Sequence, residues 1–227
     1  MAINLKIVDL IPASDSREVD QNSEPSIAVN PVDPTQMFAG AFVFDSDAQP
    51  FFVSTDGGNT WSIFGTLDHH DKSIAWKADG SAVLVARLLD EDIDTFSATV
   101  TDSGFGSAIN HYVGSHENDQ PWIRTGPSNH VYLGFNDTGA ADGKTASVNV
   151  STDGGSSHTT VTLDRVGASA GPGGDEDSPA VRFAVNGNKV YAVFNRYESV
   201  VESGPNTSIQ RSWSSDPTMA ERTASRR

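Results

Sequence analysis

The chain contains no cysteine in its 227 residues. Disulfides and thiolate metal sites are therefore excluded, and the redox compartment stays open. Positive charge is scarce too: 15 Lys and Arg stand against 30 Asp and Glu, a net charge of −15. That field repels a phosphate backbone and no basic cluster interrupts it, which argues against nucleic-acid binding. It also disfavours an anionic substrate, except where arginines are locally concentrated. No stretch approaches the roughly 18 consecutive apolar residues of a membrane helix, so membrane insertion is not expected. The first twelve residues alternate apolar and polar side chains and carry Lys6 and Asp9. They lack the basic start and long apolar core of a signal peptide.

What the chain does have is turns. Hydrophobic residues make up 37%, while 20 Gly and 11 Pro punctuate the sequence, a balance suited to many short strands. Four segments resemble one another: Glu24-Pro25-Ser26-Ile27-Ala28-Val29, Lys72-Ser73-Ile74-Ala75-Trp76, Gln120-Pro121-Trp122-Ile123 and Ser178-Pro179-Ala180-Val181. Anchored on Pro25, Ser73, Pro121 and Pro179, they are spaced by 48, 48 and 58 residues. Each is followed by a second apolar run, at residues 37–42, 82–86, 131–135 and 190–194, and then by a third that leads to Asp56, Asp102, Asp153 or Asp216. A repeat of about fifty residues holding four short strands is the requirement of a propeller blade.

The expected fold is therefore an all-β propeller of four-stranded antiparallel blades, about four in this chain, with the first run innermost. The repeats fall near residues 20–65, 68–114, 117–165 and 175–216, followed by a tail at 217–227. Fourth strands are expected at 61–65, 107–114 and 159–163. The last repeat offers three strands, ending at 208–213, and a strand at 3–11 could complete it and close the ring. The alternative is that these blades form part of a larger, six-bladed ring.

The stretch Ser54-Thr55-Asp56-Gly57-Gly58-Asn59-Thr60-Trp61 reads S-x-D-x-G-x-T-W. Asp56 can accept hydrogen bonds from nearby backbone N–H groups, the glycines can take positive φ, and Trp61 can fold an apolar ring under the turn. A second copy, Ser151-Thr152-Asp153-Gly154-Gly155, places His158 where the tryptophan belongs. The pattern resembles the Asp-box, or bacterial neuraminidase repeat, of sialidase-like β-propellers. The resemblance implies that Ser54, Asp56, Gly58, Trp61, Ser151, Asp153 and Gly155 are structural, joining third to fourth strands away from the catalytic face.

The segments Glu24 to Pro31, Asp119 to Ile123 and Asp177 to Arg182 also look like segments of bacterial members, so the resemblance spans most of residues 20–216. It implies a carbohydrate-active propeller that recognises glycans or hydrolyses exo-glycosides, with a glycan or glycoprotein partner and an extracellular or cell-surface setting. Family sialidases hold the substrate carboxylate with three arginines, protonate the leaving group with an Asp, and attack with a Tyr activated by a Glu. Bidentate guanidinium groups match a carboxylate, and the other groups do acid–base and nucleophilic work. On this chain the resemblance points to Arg211 and Arg196 for substrate, and to Asp45, Asp47, Tyr197 and Glu198 for catalysis. The first arginine normally opens an R-I-P triplet; Ser23-Glu24-Pro25 stands there instead. That departure counts against ordinary sialidase turnover. The alternative is a non-catalytic scaffold that binds protein or glycan, alone or in a homo-oligomer or larger assembly.

The repeats add a pattern of their own. Carboxylates precede or open each inner strand: Asp20 and Glu24, Asp68 and Asp71, Glu117 and Asp119, and Asp175, Glu176 and Asp177. Ringed around a channel, they would suit a cationic ligand or a hard cation, with Asp71, Asp119 and Asp177 as calcium ligands. Asp90-Glu91-Asp92-Ile93-Asp94 reads as a second acidic loop. His69-His70 could converge on zinc only in a loop, because neighbours on a strand point to opposite faces. His116 and His130 stand alone, and Gly171-Pro172-Gly173-Gly174 reads as a flexible loop.

Overall fold

The computed structural model describes residues 7–8, 10, 23–43, 48–68, 71–90, 92–111, 118–137, 145–165, 181–194, 200–201 and 210–211. The first blade is β1 (Ser23–Val29), β2 (Met37–Phe42), β3 (Ala48–Ser54) and β4 (Ser62–Asp68). The second is β5 (Lys72–Trp76), β6 (Val83–Leu89), β7 (Asp92–Ala98) and β8 (Ile109–Asn110), and the third is β9 (Asn118–Gly126), β10 (His130–Asp137), β11 (Thr145–Ser151) and β12 (Thr159–Arg165). Each pairs in simple sequence order, antiparallel throughout. The fourth repeat contributes a pair, β13 (Arg182–Asn186) with β14 (Lys189–Val193), and a separate short pair, β15 (Val200–Val201) with β16 (Gln210–Arg211).

The blades pack face to face. Phe38, Phe51, Val53 and Phe64 of the first blade meet Ile74, Trp76, Val83 and Val85 of the second. The opposite face of the second blade, with Leu84, Ala86 and Leu88, meets Ile123, Val131 and Leu133 of the third. Strand β6 is thus buried on both sides, which explains its unbroken apolar start. A third core joins Val148, Val181 and Phe183, with Trp122 and Tyr132 packed against it. Consecutive four-stranded meanders stacked this way, with their first strands side by side, make a β-propeller.

Those first strands are stitched together by side chains. Ser26 Oγ accepts the Ile74 N–H at 3.1 Å, and one blade further on Ser73 Oγ accepts the Ile123 N–H at 3.1 Å. Trp76 Nε1 donates to Ala28 O at 3.2 Å, and Thr125 donates its hydroxyl to Trp76 O. The structural equivalent of Ser73 is therefore Ser26, one residue beyond the Pro25 on which the sequence repeat is anchored. Upstream of Ser26, a bulge between Ser23 and Ser26 inserts extra chain into β1.

The acidic turns lie between third and fourth strands, as expected. Asp56 Oδ1 accepts the N–H groups of Asn59 and Thr60 at 2.8 and 2.9 Å, and Oδ2 accepts the Thr60 hydroxyl at 2.7 Å. Ser54 Oγ accepts the Gly58 N–H at 2.9 Å. The second turn repeats this set through Ser151, Asp153, Gly155 and Ser157. Gly57, Gly58, Gly154 and Gly155 all have positive φ, between 72° and 97°. These donors hold the Asp56 carboxyl down at about 2, the Thr60 bonds counting most, and they hold Asp153 lower still. The turn at Asp102 uses different bonds, Thr99 N–H to Asp102 Oδ2 at 2.7 Å, and Asp216 lies outside the described residues. Of the expected strand at 3–11, only Ile7, Val8 and Leu10 are described, outside any strand.

Gly134 marks a close approach. A Cβ there would sit 2.7 and 2.8 Å from the Phe183 ring and 3.1 Å from Val181 Cβ. Gly134→Ala is expected to destabilise the chain by about 1–3 kcal/mol through overpacking between the third and fourth blades. A chemical-denaturation midpoint unchanged from wild type would show that β13 does not seat there.

Candidate functional site

The leading ends of the inner strands carry a cluster of charged and polar side chains. Glu24 and Gln120 have φ of 53° and 48°, left-handed values that a residue before proline rarely adopts. Each sits at a bulge, between Ser23 and Ser26 in β1 and opposite the Gly134 to Asn136 shift in β9. Strained non-glycine backbone of this kind, on the order of 1–3 kcal/mol each, collects at ligand sites. Both positions line an open cleft of about 1090 Å³ along the inner strands, with Asp71, Lys72, Trp122 and Arg182.

Asp71 lies at the centre. Burial comes first in pushing its carboxyl up to about 6, followed by a hydrogen bond and charge from Glu24, while Asp119 also bonds to it. Asp119 is raised in turn, chiefly by burial. Three carboxyl groups from β1, the lead-in to β5, and β9 thus meet around Asp71. Beside them, Lys72 Nζ is buried without a hydrogen-bond partner among the described residues. Lys72 is 7% exposed, and burial lowers the amine to about 8 against the opposing pull of Glu24 and Asp71.

The other wall is basic and aromatic. Arg124 and Arg182 lie over the Trp122 ring, 4.0 and 4.8 Å from its centroid, a cation–π arrangement. Arg182 Nη2 donates to Gln120 Oε1 at 2.9 Å, which steadies the strained residue. Both guanidinium groups are pulled below their ordinary range, first by burial; Arg182 adds to the effect on Arg124. Trp122 Nε1 is buried without a partner among the described residues. A ligand entering here meets carboxyl groups, guanidinium donors and an indole.

The inner-strand carboxylate pattern is therefore realised in part: Glu24, Asp71 and Asp119 converge. Asp68 does not join them; it ends β4, and its carbonyl accepts a bond from Arg87. Asp20, Glu117, Asp175, Glu176 and Asp177 lie outside the described residues, as do Asp45, Asp47, Arg196, Tyr197, Glu198, His69, His70 and His116. Arg211 is described only as backbone of β16. The acidic run at 90–94 is not one loop: Asp92 and Asp94 belong to β7, and Asp94 forms a 3.0 Å ion pair with Arg87. No group of three His, Asp or Glu side chains among the described residues is arranged to hold a metal. Sequence reasoning missed Lys72, Trp122, Arg124 and Arg182 as site residues. The available signal was the pair of Glu-Pro and Gln-Pro steps opening β1 and β9.

No protein-family model matches the chain, and no curated protein matches it. Among solved structures, the chain is similar to a GH74 enzyme from Niastella koreensis, at 20% identity over 77% of this chain and 24% of that one, with a TM-score of 0.40. It is also similar to TolB from Acinetobacter baumannii, at 9% identity over 78% of this chain and 52% of that one, with a TM-score of 0.37. The chain thus spans about a quarter and about half of these two. The propeller architecture stands on the strand pairing and blade packing above.

Proposed function

We propose that the chain is a carbohydrate-active propeller of sialidase-like descent, recognising a glycan in the inner-strand cleft. The observation that carries this reading is the convergence of Glu24, Asp71 and Asp119 with Trp122 and Arg182 on adjacent inner strands. Carboxyl groups and guanidinium donors match sugar hydroxyls, and the strained bulges hold them in place. Recognition is favoured over hydrolysis. Asp71 and Asp119 are hydrogen-bonded to each other, whereas a retaining glycosidase needs its carboxyl groups about 5–5.5 Å apart and an inverting one needs more. A neutral sugar is the first expectation, because the three carboxyl groups offset Lys72, Arg124 and Arg182 and leave no net positive field to draw in an anion.

Titration calorimetry with neutral and sialylated oligosaccharides tests this. Saturable binding of a neutral glycan is expected, falling at least about tenfold in Asp71→Asn and Trp122→Ala, a difference of about 1.4 kcal/mol. Absence of binding across the panel sinks the reading. Turnover of an aryl glycoside that disappears in Asp45→Asn or Tyr197→Phe would replace recognition by catalysis. Calcium is a related proposal: an ion bridging Asp71 and Asp119 would favour their ionised forms against the burial that raises both. A melting temperature that rises with Ca2+ and returns with EDTA is its expected signature; no change removes it.

A further inference from the structure

The inner-strand cleft changes character along its length. Its leading end is lined by Glu24, Asp71, Gln120 and Arg182, the charged and polar groups described above. Further along the same strands, and just beyond them, the lining is Ile27, Val29, Pro31, Ala78, Ala184 and Val185. None of these six is buried, and none carries a polar side-chain atom. Both characters are present on β1 alone. Glu24 and Val29 are separated by about 16 Å of strand, at about 3.3 Å per residue.

The apolar part is not ordinary surface. Ile27 follows Ser26 in β1 as Ile74 follows Ser73 in β5, and the two serines make equivalent bonds to the next inner strand. Ile74 packs against the first blade and is 3% exposed; Ile123, its counterpart in β9, packs against the second blade and is 0% exposed. Ile27 is 60% exposed and Val29 is 47% exposed. The repeat thus places a large apolar side chain where β5 and β9 bury it, and on β1 that side chain lines the cleft. Exposed apolar surface bordered by polar groups marks a ligand groove, and small-molecule sites combine apolar walls with a few placed polar groups.

We propose that the cleft takes an amphiphilic glycoside, with its sugar at the Glu24, Asp71 and Arg182 end and an apolar aglycone along Ile27, Val29 and Val185. The inference rests on the glycan reading above and extends it to the class of aglycone. Sugar hydroxyls need carboxyl and guanidinium partners, which fixes the sugar at the leading end. An oligosaccharide running the whole length would place its distal hydroxyls against apolar side chains, losing water without gaining partners. An alkyl or aryl group loses nothing there and covers the open apolar surface.

Titration calorimetry of the full chain with methyl and octyl β-D-glucosides, and with the matching galactosides, tests this below micelle-forming concentrations. The octyl glycoside is expected to bind at least about tenfold tighter than its methyl counterpart, a factor that about two buried methylenes supply. The ratio of the two affinities should fall towards one in Ile27→Gln and in Val29→Gln, while Asp71→Asn weakens both glycosides alike. Circular dichroism checks that the variants fold, and the two exposed positions serve independently. Equal affinities, an unchanged ratio in the folded variants, or no binding of either octyl glycoside overturns the inference. Neutral oligosaccharides that still bind would then leave the glycan reading standing. If 1-octanol binds as tightly as the octyl glycosides, the sugar contributes nothing and both readings fall. Sedimentation completes the test: a dimer that dissociates in Ile27→Gln assigns this surface to a second copy of the chain and overturns the inference.

Discussion

Replacing Phe38 with alanine is expected to lower the free energy of unfolding by about 3–5 kcal/mol. Phe38 is fully buried, at 0% exposure, in β2 on the face that meets the second blade. Its ring packs edge-on against Phe64 at 5.0 Å and against Phe105 at 6.0 Å, and is tilted against Phe51 at 6.0 Å. Phe105 follows the degenerate turn at Asp102 in the second blade and also touches Phe51 and Phe64, each at 5.1 Å. Truncating Phe38 thus removes the centre of an aromatic cluster to which both blades contribute. The surrounding strands are paired on both sides and cannot collapse into the void. Against a total of about 5–15 kcal/mol for a typical domain, the loss is severe. Urea denaturation followed by tryptophan fluorescence measures it, the midpoint falling while the slope stays constant. A loss below about 1 kcal/mol would mean that the face between the first two blades is not packed as described.

Phe105 also illustrates what the sequence conceals. The strands were legible because apolar runs alternate with turns whose Asp and Gly have defined chemistry, and β4 and β12 begin within a residue of the expected positions. After Asp102 the turn pattern fades, and the expected strand at 107–114 is described only as Ile109–Asn110. Nothing in the local pattern says that Phe105 reaches across to the neighbouring blade. The site shows the same division. Glu24, Asp71 and Asp119 were legible because each stands just before or at the start of an inner strand. Lys72, Arg124 and Arg182 were not, because an inner strand sends alternate side chains towards opposite blades, and bulges at Glu24 and Gln120 reset that alternation. Family resemblance directed attention to Asp45, Asp47 and residues 196–198, which lie outside the described residues, while the described chemistry gathers on the inner strands.

Lys72→Met is expected to stabilise the protein near neutral pH. Lys72 enters between the first two blades, its Cε 3.4 Å from where a Cβ on Gly40 would lie, and its ammonium has no hydrogen bond among the described residues. Methionine keeps the stem and removes the buried charge. The amine falls from 10.5 to about 8 on folding, which corresponds to about 3 kcal/mol against the folded state. Because the folded value is the lower one, the penalty is full below about pH 8 and disappears as pH rises past about 10.5. The gain from Lys72→Met should follow the same course, near 3 kcal/mol at pH 7 and close to zero at pH 11, read from denaturation midpoints at each pH. A destabilised variant at pH 7 would show instead that the ammonium's attraction to Glu24 and Asp71 exceeds its desolvation. A protein retains an unfavourable buried charge where something other than stability is served. If the cleft binds a glycan, the stabilised Lys72→Met variant should bind it more weakly, because the ammonium beside Glu24 and Asp71 has gone.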